Sequence, residues 1–263
     1  EAVGLATREG LPVMYVTEDT TRARPEDARA LYTAAVEAGA RRICIADTVG
    51  HATPEGARNL VRFLRQVVDD TGEDVAVDWH GHNDRGLGLA NAVAAAEAGA
   101  DRIHGTILGI GERVGNCALD QLLVNFELFG WSHWNLQPLA GLCALVSRAT
   151  GVAIPESYPV FGRDAYRTQT GVHAAAILKA RAKGHDWLAD RVYSGIPAAM
   201  VGRRQEVEVG PMSGQANVTC WLQERGIESS PALVQRIFQA AKESDAVLSE
   251  ERLLALCQRH ARA

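Results

Sequence analysis

The sequence predicts an α/β fold, the C-terminal half of a TIM-type (β/α)8 barrel followed by a helical appendage. Strand-like and helix-like segments alternate four times in the first half of the 263 residues, which is typical of parallel sheets built from βα units. The segments "VEAGARRI" (36–43) and "AEAGADRI" (96–103) repeat a helix end followed by a buried strand. Polar residues also follow the predicted strands, at the end where barrel enzymes hold their active sites. This last pattern favours the barrel over an open four-stranded sheet.

The four βα units can be placed from strand composition and helix caps. Thr53 is the predicted N-cap of the second helix, with Pro54 at its first position and Gly72 just past its end. We expect these units to fill residues 1–130, as the last four of a barrel. The predicted strands cover 11–19, 41–48, 74–82 and 101–109. The helices that follow them cover 24–40, 53–72, 86–100 and 116–130, in the same order.

Residues 131–263 form a different kind of segment, mainly helical, which we expect to contain linker and subunit-contact segments. Ser230 and Ser249 are the predicted N-caps of the last two helices. A proline-rich connector (154–162) and a loop-rich stretch (192–215) separate the helices. The predicted helices cover 136–151, 170–184, 213–226, 230–244 and 249–261.

Composition and charge limit the possible functions. The net charge of −5 without a long basic run argues against a nucleic-acid surface. Five widely spaced cysteines without a CxxC pair indicate reduced thiols in a cytoplasmic protein. No apolar run approaches the ~20 residues of a membrane helix, and no signal peptide is visible. The opening residues are typical of a helix end that leads into a strand, so we expect the chain to begin within a domain.

The stretch "VDWHGHNDRG" (77–86) places two imidazoles at the end of a predicted strand. His80 and His82 are two residues apart, so they share one face with Cα atoms ~6.6 Å apart, and both rings can reach one cation. Asn116, after the next strand, is the most favoured third ligand because its carbonyl oxygen suits a divalent ion. The alternative for this stretch is a polar strand end without a ligand. Asp84 is a candidate for supporting one of the histidines.

Several other polar residues near strand ends allow two interpretations. Glu18 is either a catalytic carboxylate or a surface ion-pair partner, and Asp47 either serves chemistry or caps the following loop. Arg113 either binds an anionic group or pairs with Glu112. The glycines of "GIGERVG" (109–115) do not match the dinucleotide fingerprint, so we expect them to let the backbone approach a ligand or the metal.

These motifs resemble one enzyme family over nearly the whole chain. The segments "TEDTTR", "ADTVGHATPEG", "HGHNDRGLGLANAVAAAEAGA" and "GTILGIGERVGN" resemble the catalytic barrel of the 2-isopropylmalate synthase and homocitrate synthase family. The segments "TGVHAAAILKA" and "GPMSGQANV" resemble the region that follows that barrel. The resemblance implies a transferase that condenses acetyl-CoA with a 2-oxo acid in amino-acid biosynthesis, leucine biosynthesis for a 2-isopropylmalate synthase. It also implies a divalent metal (Mg, Mn or Zn).

The resemblance also implies a role for individual residues. The expected metal site is His80, His82 and Asn116. The expected catalytic residues are Glu18, His173 and Tyr193, and the expected substrate-binding residues are Thr48 and Glu112. A homodimer is implied as well, with His173 acting in the partner's site.

The chain departs from the family pattern in three places. The "RDG" segment, which brings the third metal ligand and an arginine, is absent together with the first four βα units. The Gln-Asp pair after the post-barrel histidine is replaced by Ala174 and Ala175, and Gln215 stands where an arginine is usual. We therefore expect an incomplete portion of the enzyme. Two alternatives remain, a metal-dependent aldolase or lyase of the same barrel type, and a non-catalytic scaffold subunit completed by another chain.

Overall fold

The chain folds into two compact units, described by a computed structural model that covers residues 1–261. The first unit is Glu1–His133 and the second begins at Trp134. Each unit has hydrophobic clusters of its own. In the described part of the chain, no helix combines the length and the apolar composition needed to cross a membrane.

The first unit confirms the predicted alternation of strands and helices. Its four strands run parallel in the order β1-β2-β3-β4, and each strand is followed by a helix. A short helix at the start precedes them. The elements are α1 (Ala2–Arg8), β1 (Met14–Val16), α2 (Pro25–Glu37), β2 (Arg42–Asp47), α3 (Pro54–Asp69), β3 (Ala76–Gly81), α4 (Gly88–Glu97), β4 (Arg102–His104) and α5 (Leu119–Leu128).

The core of the first unit lies between one face of the sheet and its helices. Ile43, Ile45, Val77 and Trp79 are fully buried there and pack with apolar residues of α2 and α3. Burial of this apolar surface is the main free-energy term that holds helices on the sheet.

The opposite face of the sheet is polar, and we call it the polar face. Successive strand residues point to opposite sides, so the residues that alternate with the apolar core share this face. In the register of β3 and β4, Asp78 lies opposite Arg102, and His80 lies opposite His104. Its members from β2, β3 and β4 are Arg42, Cys44, Ala46, Asp78, His80, Arg102 and His104.

Helix caps account for where α3 begins and ends. The Thr53 hydroxyl accepts a hydrogen bond from the Gly56 amide at 3.1 Å, which confirms the predicted N-cap, and Pro54 is the first helical residue. Gly72 has φ +72°, a left-handed conformation that favours glycine. The fourth strand is shorter than predicted, because the chain turns after His104 into a 3₁₀ segment (Ile107–Gly109).

The second unit is mainly helical, as expected. The Ser230 hydroxyl accepts a hydrogen bond from the Leu233 amide, and the Ser249 hydroxyl accepts one from the Arg252 amide, so both predicted caps are present. A two-stranded parallel sheet, β5 with β6, was not predicted, because strands of two residues leave no alternation to detect. The elements are α6 (Leu139–Thr150), β5 (Arg167–Thr168), α7 (Gly171–Ala182), α8 (Asp186–Ala189), β6 (Glu206–Val207), α9 (Gln215–Glu224), α10 (Pro231–Lys242) and α11 (Glu250–Ala261).

Candidate active site

Two histidines stand at the carboxyl end of β3 with their rings on the same side of the sheet. The ring centroids of His80 and His82 are 5.2 Å apart, and the ring planes meet at 87°. His82 is 8% exposed, whereas His80 is half-buried. This arrangement lets nitrogen atoms of both rings approach a common point, as the two-residue spacing requires.

The loop after β4 brings Asn116 next to His82. The two residues form an isolated antiparallel bridge. The Asn83 amide donates to the Gly115 carbonyl at 3.0 Å, and the Cys117 amide donates to the Gly81 carbonyl at 3.1 Å. The loop therefore runs along the end of β3 in the manner of an added strand, and it fixes Asn116 beside the histidines.

Two buried polar atoms at this place lack a partner among the described residues. They are Nδ1 of His82 and Oδ1 of Asn116. The Asn116 amide nitrogen donates to the Ile110 carbonyl at 3.2 Å, so the amide group is oriented with its oxygen as the free end. Buried polar groups without a partner are rare and call for an explanation. A bound cation would satisfy both of them, since imidazole nitrogen and amide oxygen are ligands for divalent ions.

No group of three or more His, Cys, Asp or Glu side chains suited to a metal occurs in the described residues. The two histidines and the Asn116 amide thus make up the donor set that these residues offer at the end of β3. A set of two imidazoles and one amide leaves coordination positions for other oxygen ligands.

The environment of His80 keeps its ring neutral. Burial lowers the pKa of His80, and the nearby rings of His82 and His104 lower it further. A neutral imidazole has the free electron pair that metal binding requires.

An ion pair clamps the loops that follow β2, β3 and β4. Arg113 donates to both oxygens of Asp84, at 2.8 and 3.1 Å, and to the Thr48 carbonyl at 2.6 Å. The hydrogen bond from Arg113 lowers the pKa of Asp84. The Asp84 carboxylate is therefore bound to Arg113, and its role in supporting a histidine stays a prediction. Arg113 also lies 3.6 Å from Glu112.

The loop between β4 and α5 is folded tightly on itself. The Asn116 amide donates to the Gly109 carbonyl at 2.8 Å, and the Gly115 amide donates to the Glu112 carbonyl at 2.8 Å. A Cβ atom on Gly115 would lie 1.8 Å from the Gly109 carbonyl oxygen. These glycines therefore allow the loop to close on itself, where we expected a close approach to a ligand.

The remaining predicted residues of the first unit lie near the same end of the sheet. The Thr48 hydroxyl accepts a hydrogen bond from the Asp19 amide at 2.8 Å, which links the loops after β1 and β2. Glu18 is exposed, two residues past the end of β1. The Glu112 side chain is 83% exposed. These three residues reach solvent at the carboxyl end of the sheet, and none has a direct contact with His80 or His82 among the described interactions.

Asp47 has a structural role. Its buried carboxylate accepts hydrogen bonds from the amides of His51 at 2.8 Å and Ala52 at 3.2 Å and from the Thr21 hydroxyl at 3.1 Å. It therefore holds the loop between β2 and α3, the simpler of the two interpretations of this residue.

The other two predicted catalytic residues form a pair in the second unit. The rings of His173 and Tyr193 stack with centroids 3.7 Å apart and an angle of 28°. The Thr168 hydroxyl lies 3.2 Å from Nδ1 of His173, which leaves Nε2 as the nitrogen that can reach outward. Tyr193 is 48% exposed, so the pair is accessible from the surface of this unit.

Sequence reasoning missed the charged group beneath the histidines. Asp78 is fully buried on the polar face and pairs with Arg42 and His104. The alternation that placed His80 and His82 on one face places Asp78 there too, so the signal was present in the "DWHGH" segment. A carboxylate inside a predicted buried strand could have been identified as a residue of the same face.

Comparison with known proteins supports the resemblance seen in the motifs. The family model described as HMGL-like matches residues 1–146. A protein named "Probable 2-isopropylmalate synthase" from Methanopyrus kandleri is 34% identical over 92% of this chain and 46% of its own length. A protein named "Homocitrate synthase AksA" from the same organism is 34% identical over 92% of this chain and 58% of its own length. The chain thus spans about half the length of the curated relatives that it matches.

A solved structure gives the same fold. The crystal structure of hydroxymethylglutaryl-CoA lyase from Pseudomonas aeruginosa matches with a TM-score of 0.51 and 17% identity, over 58% of this chain and 54% of that chain. At this identity the likeness concerns the fold alone.

Proposed function

The chain belongs to the HMGL-like family, and on this basis we propose that it is a portion of an enzyme that condenses acetyl-CoA with a 2-oxo acid, of the 2-isopropylmalate synthase type. In this proposal residues 1–130 are the last four βα units of a TIM-type barrel. Residues 131–263 are the post-barrel region with linker and subunit-contact segments. One observation carries the proposal: two neighbouring imidazoles and a partnerless amide oxygen lie at the carboxyl end of a parallel sheet.

The metal ligands in this proposal are His80, His82 and Asn116. Two buried atoms without partners, Nδ1 of His82 and Oδ1 of Asn116, fit a divalent cation such as Mg²⁺, Mn²⁺ or Zn²⁺. Once bound, such an ion would polarise the oxygens of the 2-oxo acid and stabilise the negative charge that develops on the keto oxygen.

Proton transfer falls to Glu18 and His173. The methyl group of acetyl-CoA must lose a proton before its carbon can attack the keto carbon, and a positioned base typically contributes ~10²–10⁴-fold to such a step. Glu18 is an exposed carboxylate beyond β1. His173 has Nδ1 next to the Thr168 hydroxyl, so its Nε2 is the nitrogen that would exchange a proton. Tyr193 stacks on this ring and would hold its orientation.

Substrate binding falls to Thr48 and Glu112. The Thr48 oxygen already accepts a hydrogen bond from the Asp19 amide, so its own proton is free to donate to a carboxylate of the 2-oxo acid. Glu112 is exposed at the tip of the loop held by Arg113 and would accept a hydrogen bond from the substrate. After carbon–carbon bond formation, water cleaves the thioester and releases free CoA thiol, which makes the condensation effectively irreversible.

The proposal includes a cytoplasmic homodimer in which His173 of one subunit serves the site of its partner. The support is the resemblance of the "TGVHAAAILKA" segment (170–180) to the post-barrel region of the synthases, together with the exposure of the Tyr193 ring beside His173. Mass photometry of the purified chain tests the dimer. A monomer at micromolar concentration contradicts this part of the proposal.

Thiol release tests the reaction. The purified chain is incubated with Mg²⁺, Mn²⁺ or Zn²⁺, acetyl-CoA and a panel of 2-oxo acids (2-oxoisovalerate, 2-oxoglutarate and pyruvate), and free CoA is followed. A parallel sample contains a polypeptide with the first four βα units of a 2-isopropylmalate synthase. Release of CoA in either sample, abolished by His80→Ala and kept by His51→Ala, supports the proposal. His51 is a matched control because it also follows a strand of the sheet.

Two other outcomes contradict the proposal. Cleavage of a 3-hydroxyacyl thioester, without any CoA release from acetyl-CoA, identifies a lyase of the same barrel type. No release of CoA in any sample, with the fold intact by circular dichroism, identifies a non-catalytic scaffold subunit.

A further inference from the structure

A buried carboxylate lies one layer beneath the paired histidines. Asp78 precedes His80 by two residues on the polar face, and none of its side chain is exposed. One oxygen is bound by Arg42, and the other lies 3.0 Å from Nε2 of His104. Arg102 approaches the same oxygen to 3.8 Å. We call this group of side chains, with Cys44, the carboxylate layer.

The ring of His104 is held at both nitrogens. Nε2 faces the Asp78 carboxylate at 3.0 Å, and Nδ1 faces the Cys44 sulfur at 3.9 Å. The Cys44 thiol also lies 3.9 Å from the Ile45 carbonyl, to which it donates. A carboxylate only accepts hydrogen bonds, so the 3.0 Å contact with Asp78 favours a ring proton on Nε2.

The His104 ring packs directly against His80. The two residues lie opposite each other in the register of β3 and β4, with ring centroids 5.8 Å apart and an angle of 56°. The ring centroid of His82 lies 5.2 Å from that of His80. The orientation of the His80 ring is therefore limited by two neighbouring rings, one of which is fixed by the carboxylate layer.

Stability alone gives no reason to keep a carboxylate at this position. Taking a charge out of water is costly, and replacing a buried ion pair by apolar side chains of similar volume is often neutral or stabilising. The opposite face of the same strands is filled with apolar side chains, so the sequence does build an apolar layer where packing is the only requirement. A carboxylate that orients a metal-ligating histidine through a hydrogen bond is a common device, and here Asp78 would act on His80 through the ring of His104.

We propose that Asp78 and His104 are positioning residues, which fix the His80 ring in the orientation that binds the divalent cation. This inference rests on the proposed function, because it takes His80 to be a ligand. Neither residue touches the cation or the substrate in this proposal. Their effect is transmitted through the His80 ring.

The test compares Asp78→Asn and His104→Gln with wild type in the full chain. Asp101→Asn is the matched control, since Asp101 also pairs with an arginine and holds the Val77 amide, but lies away from the ring of His80, near the start of β3. Long-range ¹H–¹⁵N NMR of the histidine rings, without metal, reports tautomer and environment. A Co²⁺ titration followed by visible absorption reports affinity.

Wild type is expected to show His104 as a single tautomer protonated on Nε2. Both variants are expected to shift or broaden the His80 ring signals and to raise the Co²⁺ Kd by about ten- to a hundredfold, the range for residues that orient a ligand. Asp101→Asn is expected to leave the His80 signals and the Kd unchanged, whatever it does to the melting temperature.

Unchanged His80 signals and Kd in both variants, with only a lower melting temperature, overturn the inference. If Asp78→Asn does not fold, His104→Gln decides, because it leaves Asp78 paired with Arg42. The failure of the proposed function looks different: wild type itself binds no Co²⁺. In that case the NMR signals of His80 alone decide whether the two residues position it.

Discussion

At the scale of single residues, the sequence predicted the ligand candidates better than their surroundings. The two-residue spacing requires His80 and His82 to share a face, and their rings do lie together. Asn116 was predicted as the third ligand from its position after the next strand. In the structure it lies beside His82, and a backbone bridge joins the two residues. The partners of Asp84 and Asp78 could not be predicted, because each depends on a loop or strand distant in sequence, Arg113 for one and Arg42 for the other.

The partnerless Asn116 oxygen leads to a prediction that separates binding from stability. Asn116→Ala is expected to weaken Co²⁺ binding by about tenfold or more, equivalent to about 1.4 kcal/mol. It removes an unsatisfied buried oxygen along with one hydrogen bond to Ile110, so the melting temperature is expected to change little. Isothermal titration calorimetry and thermal denaturation measure the two effects.

The control for this change is Asn125→Ala on α5. The side chain of Asn125 also donates one hydrogen bond to a backbone carbonyl, that of Gln121. Asn125 lies on a helix and is distant in sequence from His80 and His82. An equal loss of affinity in both variants would contradict the role of Asn116.

The buried thiols lead to a prediction about pH. Burial raises the pKa of Cys44, Cys117 and Cys220 from 9.0 to about 12, so these thiols stay protonated in the folded chain. Between pH 9 and 12 the unfolded chain releases these protons and the folded chain does not. Stability from these groups is therefore complete below pH 9 and is lost as the pH rises toward 12. Urea denaturation at pH 8 and pH 10 is expected to show a lower midpoint at pH 10.

The same thiols are expected to be unreactive at pH 8. In the folded chain, a disulfide reagent such as DTNB is expected to modify Cys257 first, since it is half-buried and the other four are buried. All five are expected to react in guanidinium. Rapid native reaction of several thiols in a Cys257→Ser variant would contradict this account.

At the scale of elements, local signals were sufficient for helices and insufficient for short strands. The N-caps at Thr53 and Ser230 were predicted because a hydroxyl followed by proline is a local pattern, and both hydroxyls accept the expected amide hydrogen bond. Strand β4 was predicted too long, since its end is set by the turn that brings the Asn116 loop to β3, a contact between distant segments. The β5–β6 pair was missed because strands of two residues show no alternation.

The cap of α3 gives a prediction about stability. Thr53→Ala removes the oxygen that accepts the Gly56 amide and is expected to cost about 1 kcal/mol of unfolding free energy. Thr53→Ser keeps the oxygen and is expected to stay within a few tenths of a kcal/mol of wild type. Urea denaturation followed by circular dichroism compares them, and an equal loss in both variants would exclude capping as the cause.

At the scale of the whole molecule, the sequence predicted the change from alternating βα units to helices. The change follows from composition and periodicity, which can be read along the chain. The two units have separate hydrophobic clusters.

The separate clusters predict separate responses to core mutations. Leu64→Ala, at a fully buried position in the cluster of the first unit, is expected to cost about 2–5 kcal/mol and to speed hydrogen exchange of the β2 and β3 amides. Ile237→Ala, equally buried in the second unit, is expected to speed exchange in α9 and α10. Leu31→Ala, at an exposed position, serves as the control with little effect. Exchange that rises in both units after either core change would contradict independent cores.

The closed loop between β4 and α5 has a consequence for the thermodynamics of ligand capture. Its backbone is held by the Asn116–Gly109 and Gly115–Glu112 hydrogen bonds, and Arg113 binds it to the loops after β2 and β3. If Asn116 binds the proposed ion, these hydrogen bonds keep its amide oxygen in place, so little conformational entropy would be lost on association. We therefore expect the calorimetric entropy to be dominated by water released from the ion, with a heat-capacity change close to zero.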